Sequence, residues 1–341
     1  MIPDWQVYYQ QNKGLPMNKI MEGYYRILNE FNERMHNVVT QNSPTNGAGP
    51  GGKPSAPSGP SVLVYTPDTQ LLNWGNGVEY FSDVTLADFQ TNVSVTTPTN
   101  IQIDADTTPI NTINGLKNYI NMNSIDIEYQ NISQIDVSGL TNLEYLYFYA
   151  NTSPTLTITG TANVGQNLGY DSSYINLDTN DSLTTLNLNG FGTNVELYGP
   201  YTINLSSVNL GNSQIPYIYL YGCSITSINL LKNKALFYLR LDYNSLQSLN
   251  ITGNPSLGSL YCGNNQLTTL NISNNKELYY LDASNNQLSQ NSVDQILINL
   301  DNFGVTSGNV NLGGSGNAVH SSLSNDAITS LLSKGWSLTL N

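Results

Sequence analysis

The sequence predicts a solenoid, mainly β with short helices, and three observations carry that prediction. Apolar residues recur every 21 positions: Leu236, Leu239, Leu241, Leu246, Leu249 and Ile251 are followed by Leu257, Leu260, Cys262, Leu267, Leu270 and Ile272, and then by Leu278, Leu281, Ala283 and Leu288. An asparagine holds one fixed place in that period, at Asn244, Asn265 and Asn286. Only 10% of residues are charged, against 39% hydrophobic and 28 glycines, a turn-rich and β-rich profile.

Taken in order, residues 1–41 carry an amphipathic helical stripe, with Ile20, Tyr24, Ile27, Phe31, Met35 and Val38 at steps of three and four. Trp5 and Tyr8 precede it as further apolar anchors, so the segment reads as an N-terminal helical anchor or oligomerisation element. Residues 42–60, NSPTNGAGPGGKPSAPSGP, bury too little apolar surface to offset ordering and read as a flexible tether. From 61 to 121 short β-type runs (SVLVY, VSV, IQI) suggest a β-rich N-terminal cap.

The repeats occupy 122–290. The template starts at Ile125, Ile127, Gln130, Ile132, Ile135 and Val137, and returns at Leu143, Leu146, Phe148 and Asn151. Leu183, Leu186 and Leu188 read as the same template, with the spacing stretched around Leu197 to Leu210 by loops of variable length. The strict period resumes at Ile215, Ile218, Leu220, Cys223, Ile225 and Ile228. Residues 291–341 read as an α+β C-terminal cap: a capping box of Ser292 and Gln295 opens a helix ending near Gly304, a second helix covers about 326–333, and Trp336, Leu338 and Leu340 alternate as a strand does.

Segments such as LFYLRLDYNSLQSL and LYYLDASNNQL resemble the leucine-rich-repeat pattern L-x-x-L-x-L-x-x-N/C-x-L. That resemblance implies coils whose leucines point inward and bury their core only by stacking on neighbours. The asparagine slot suits a side chain that both donates to and accepts from backbone where the coil turns. Cys223 fills that slot and Cys262 a core slot two coils on; with strands about 4.8 Å apart, the two sulfurs are too distant to bridge. The tail NLGGSGNA…AITSLLSKGWSLTLN resembles endings of structural proteins of phages that infect Bacteroidetes-type bacteria.

In a strand of this pattern the residues between leucines face outward. Those positions hold Tyr145, Tyr147 and Tyr149, then Tyr217, Tyr219 and Tyr221, then Tyr238 and Tyr243, Tyr261, and Tyr279 and Tyr280. A tyrosine offers a flat apolar body with a polar tip, so this surface suits sugars or protein partners. Individual tyrosines also fit exposed β positions and stabilise the ladder by cross-strand contact.

No catalytic constellation is visible, no metal site is expected and no cofactor is implied. His36 and His320 fall in different segments, which leaves no His/Cys/Ser triad and no histidine metal cluster. Asp104 with Asp106, and Asp178 with Asp181, follow no full calcium motif and read as solvated loop carboxylates. No spacing points to an acid pair for glycoside cleavage. The formal net charge of −13 gives no cationic field for nucleic acid. No segment reaches the roughly 18 apolar residues of a membrane span, and the opening MIPDWQVYYQQNKGLPMNKIM carries no secretory pattern, so synthesis and first folding in a cytoplasm are expected.

Anchor, tether and binding head together lead to the expectation of a virion structural protein: a head fibre, capsid decoration or tail-fibre-like appendage, displayed on the particle surface. Its N-terminus would bind other capsid or tail proteins as a homo-oligomer such as a trimer, and its repeats would touch host glycan or protein. The alternative is a bacterial leucine-rich-repeat interaction or adhesion module, in the cytoplasm or at the cell surface.

Overall fold

The computed structural model describes residues 122–341, apart from 169–171 and 178–179, together with the backbone of five strands between residues 62 and 113. The chain divides into two units, Met1–Ala56 and Pro57–Asn341, and every described residue lies in the second. The anchor stripe from Trp5 and Tyr8 through Ile20, Tyr24, Ile27, Phe31, Met35 and Val38 falls outside the described residues, as does the tether at 42–60.

The strands come in two sets. One set comprises β1 (Val62–Leu63), β5 (Thr112–Ile113), β7 (Gln134–Asp136), β9 (Thr155–Thr159), β11 (Thr185–Asn189), β13 (Ser207–Asn209) and β15 (Ser227–Asn229), which form a seven-stranded sheet in that order. The other begins with β2 (Leu72–Trp74), β3 (Val78–Ser82), β4 (Asn100–Asp104), β6 (Ser124–Glu128), β8 (Tyr145–Tyr149), β10 (Ser173–Asn176) and β12 (Val195–Tyr198). It continues through β14 (Tyr217–Tyr219), β16 (Tyr238–Arg240), β17 (Ser259–Tyr261), β18 (Tyr280–Asp282), β19 (Asn309–Asn311) and β20 (Ser337–Thr339), a thirteen-stranded sheet. Apart from the antiparallel β2–β3 pair at its start, all pairing is parallel.

This is the leucine-rich-repeat solenoid in which each coil, up to β15, gives one strand to each sheet. One aliphatic row crosses the long sheet in register: Ile125, Leu146, Ile175, Leu197, Ile218, Leu239, Leu260, Leu281 and Val310, all buried, ending on half-buried Leu338. The short sheet has its own inward row, Leu156, Leu186, Val208 and Ile228. The two rows face each other across one continuous core, so each coil must stack on its neighbours to bury its leucines.

Contrary to the expectation from the sequence, Leu183, Leu186 and Leu188 do not lie on the same sheet as Leu236, Leu239 and Leu241: the former belong to the short sheet, with Leu186 and Leu188 on β11, and the latter to the long one, around β16. Both sheets need an alternating apolar pattern, so L-x-x-L-x-L occurs on both sides of the coil. The apparent drift from Leu197 to Leu210 is a passage from β12 to β13, not a stretched loop. The longer step lies between β8 and β10, where a one-turn 3-10 helix, Gln166–Leu168, is inserted.

The coil's corner is held by side chains. Asn244, Asn265 and Asn286 each accept the N–H of the preceding coil through Oδ1 (from Ile225, Leu246 and Leu267, 2.9 Å each). Each donates Nδ2 to carbonyls of its own and the preceding coil. Cys223 in that slot donates Sγ–H to Gly199 O at 3.4 Å, and both Cys223 and Cys262 are buried free thiols. A second buried file, Asn233, Asn254 and Asn275, donates to carbonyls at another corner.

The last two coils are longer because helices α1 (Gln290–Phe303) and α2 (Asn325–Ser333) replace the short-sheet side. Helix α1 buries Val293, Ile296, Leu297 and Leu300 on one stripe and ends at Gly304 with φ 75°. Its N-cap is Ser289, which accepts the Ser292 N–H at 3.3 Å; the expected capping box of Ser292 and Gln295 does not form. Ser292 is instead buried, its Oγ accepting Leu270 N–H, because a polar group pinned under the coil is satisfied there. Asp294 clamps the start of α2's approach: its carboxylate accepts Ser321 N–H, Ser321 Oγ and Ser324 Oγ at 2.6–2.8 Å. Trp336 lies against Gly308, where a Cβ would come within 2.5 Å of its ring, and its indole N–H reaches Val305 O.

Candidate ligand-binding face

The outward positions of the long sheet fall in two columns fixed by strand register. One runs Tyr145, Tyr174, Glu196, Tyr217, Tyr238, Ser259 and Tyr280; the other Tyr147, Asn176, Tyr198, Tyr219, Arg240, Tyr261 and Asp282. Rings meet across the columns as well as along them. Tyr198–Tyr219 (5.7 Å between centroids), Tyr219–Tyr238 (4.8 Å), Tyr238–Tyr261 (5.5 Å) and Tyr261–Tyr280 (4.4 Å) form one zigzag of five rings. Ser259 explains the lean: it stands between Tyr238 and Tyr280, is small, and is wholly covered. A second line joins Tyr217 to Phe237 and Phe237 to Tyr279 over Gly258, where a Cβ would stand 2.8–2.9 Å from the Tyr279 and Phe237 rings.

Side-by-side packing alters the expected exposure. Tyr219 and Tyr238 are 7% and 4% exposed, so they are buried rungs rather than presented surface; their neighbours' rings cover them. Tyr145, Tyr147, Tyr149, Tyr217, Tyr221, Tyr261, Tyr279 and Tyr280 are half-buried. Tyr145 stacks on Tyr174 at 5.9 Å and Tyr147 on Tyr149 at 6.3 Å. Tyr243 is not a strand residue: it sits in the following turn at φ 56° and is 61% exposed. Tyr174, Tyr198, Phe237 and Arg240, which the repeat pattern did not single out, complete the wall.

Arg240 is its cationic centre. The guanidinium lies 3.9 Å from the Tyr221 centroid and 5.6 Å from that of Tyr261, and Nε donates to Asp242 Oδ1 at 2.8 Å. Burial works against the charge, but the hydrogen bond and field of Asp242 overcome it and hold the group above its ordinary value. Burial pushes the Tyr280 phenol up, aided by Asp282 and opposed by a hydrogen bond from Tyr261. Burial likewise pushes the Cys262 thiol up, so it is no nucleophile at neutral pH.

Among the described residues no three His, Cys, Asp or Glu side chains come together as metal ligands, and no helix is long and apolar enough to cross a membrane. Asp106 and Asp178 lie outside the described residues, and His320 sits in the C-terminal cap with Nδ1 3.1 Å from Ser321 O.

No family model matches the chain, and no curated protein matches it. Among solved structures it is similar to an internalin (inlF) of Listeria monocytogenes, at 18% identity over 70% of this chain and 77% of that one, with a TM-score of 0.32. It is also similar to a leucine-rich-repeat protein of Leptospira interrogans, at 15% identity over 75% of this chain and 95% of that one, TM-score 0.28. The functional domain of InlJ from Listeria monocytogenes aligns at 16% identity over 63% and 60% of the two chains, TM-score 0.21. The strand register and the asparagine corner define the fold of this chain.

Proposed function

We propose that this chain is a leucine-rich-repeat binding module whose ligand, a host glycan or protein, lies on the ring-bearing wall of the long sheet. The observation that carries this reading is the five-ring zigzag with Arg240 clamped beside it. Rings already packed on each other lose little freedom when a ligand arrives, so their apolar faces and hydroxyls are preorganised for contact. Tyr217, Tyr261 and Tyr280 keep part of their surface in solvent, while buried Tyr219 and Tyr238 stiffen them.

The setting we propose is a virion appendage, with residues 1–41 docked on capsid or tail protein and 42–60 as the tether that lets several weak heads engage together. The amphipathic stripe from Ile20 to Val38 supports that setting. A bacterial interaction or adhesion module uses the same wall and differs only in what the N-terminus joins. Binding of full-length chain to intact bacterial cells should fall at least tenfold in a Tyr261→Ser, Arg240→Ala double variant of unchanged fold; wild-type binding by that variant would remove the wall from consideration. Deleting residues 1–60 should abolish incorporation into purified particles, and a truncated chain still incorporated would argue against the virion setting.

A further inference from the structure

One backbone slot repeats at the rim of the long sheet. The residue just before the asparagine corner has a left-handed backbone in coil after coil: Tyr129, Ala150, Tyr201, Gly222, Tyr243, Asn264 and Asn285, with φ between 49° and 67°. Glycine and asparagine tolerate that conformation, and a bulky side chain is disfavoured in it. The chain therefore supplies its own control, since Gly222, Asn264 and Asn285 fill the same slot with the residues it favours. Tyr201 and Tyr243 gain no core packing in return, being 63% and 61% exposed. From the same slot Tyr129 meets Tyr149 edge-on at 5.5 Å, as Tyr201 meets Tyr221, so ring contact offsets part of the strain; most of the Tyr201 and Tyr243 surface is still left to solvent, where a ligand can use it.

Tyr201 is also held in place. One side of its ring lies on Gly222, where a Cβ would come within 2.6 Å, and it meets Tyr221 edge-on at 5.1 Å, 78° between planes. Beyond Tyr221 stands Arg240, fixed by Asp242. Tyr243 follows two coils after Tyr201, roughly 10 Å away at about 4.8 Å per strand, close to the length of two pyranose units. The next slot offers the amide of Asn264.

We propose that this rim is a saccharide-binding edge: Tyr201 and Tyr243 stack on the apolar faces of alternate sugars of one chain, with the Asn264 amide and the Arg240–Asp242 pair serving its hydroxyls. Flat, largely exposed rings two coils apart, bordered by planar polar groups, suit a neutral or weakly charged glycan. The proposal rests on the binding-module reading and names its ligand class.

The test uses full-length chain in affinity electrophoresis through soluble mannan, xylan, β-glucan and extracted bacterial surface polysaccharide, together with binding to bacterial cells before and after periodate oxidation. Retardation by at least one polysaccharide is expected, with a tenfold or greater loss in Tyr201→Asn and in Tyr243→Asn. Both variants should melt no lower than wild type, because asparagine suits the slot; this separates lost contact from lost fold. Retardation unchanged in both variants overturns the rim assignment. Cell binding that survives periodate, with no retardation by any polysaccharide, overturns the saccharide while leaving the binding module standing. No binding to cells of either kind overturns both.

Discussion

Replacing Asn265 by alanine isolates what the asparagine corner contributes. Its Nδ2 serves the carbonyls of Leu241, Cys262 and Gly263, at 2.9, 3.2 and 3.1 Å. Each of those carbonyls keeps another donor: Asn244 Nδ2 for Leu241, Asn286 Nδ2 for Cys262, and Tyr243 N–H for Gly263. The Leu246 N–H is different, because Asn265 Oδ1 at 2.9 Å is the acceptor placed for it inside the coil. Orphaning a buried N–H costs about 1–3 kcal/mol, and the lost bonds to shared carbonyls add roughly 1 more, so about 3 kcal/mol is expected. At roughly 2–4 °C per kcal/mol this lowers Tm by about 6–12 °C. Asn271, exposed and bonded to Ser273 N–H two residues on, is the control, and its alanine variant should stay within about 0.5 kcal/mol. The assay is thermal and urea unfolding of the full chain, with amide exchange at Leu246 as the local readout, since coils of a solenoid can open separately. A loss below about 1 kcal/mol, or one equal to that of the control, would refute the view that side chains rather than strand pairing hold this corner.

Asp294 governs the acid limb of stability: burial opposes its charge, but hydrogen bonds from Ser321 and Ser324 outweigh this and lower its folded-state value. A lowered carboxylate contributes stability that is present above its ordinary range near ~3.9 and lost as pH falls through the folded value, so Asp294→Asn should flatten the Tm-versus-pH curve below about pH 5. An unchanged slope there would refute the clamp. Gly308→Ala drives a methyl into the Trp336 ring and should destabilise the C-terminal cap by about 2 kcal/mol, read as faster exchange of the Trp336 indole N–H; unaltered exchange would mean the ring is not seated on that glycine. Cys223 and Cys262 are buried, so both should resist alkylation at about pH 8 until urea unfolds the coil, followed by mass spectrometry. Early labelling at Cys262 would contradict its place in the core.

The sequence alone determined the period, the inward leucines and the asparagine corner, because each coil repeats the same local demands: alternate side chains must enter the core, and an amide must satisfy backbone where the chain turns. It also located the two terminal helices and the tyrosine-bearing strands other than those of Tyr174 and Tyr198. Tertiary structure decided the rest. Leu183, Leu186 and Leu188 could be placed on the short sheet only by pairing, since both sheets use the same alternation. Which rings are covered depended on neighbours about one coil away: Tyr219 meets Tyr238 and Tyr261 meets Tyr280 because register sets them side by side and because Ser259 is small. Of the rim, Tyr243 was legible as an outward residue but was placed on a strand, and Tyr201 was missed, for a left-handed backbone is written in φ rather than in residue type, and only the slot they share with Gly222, Asn264 and Asn285 joins them.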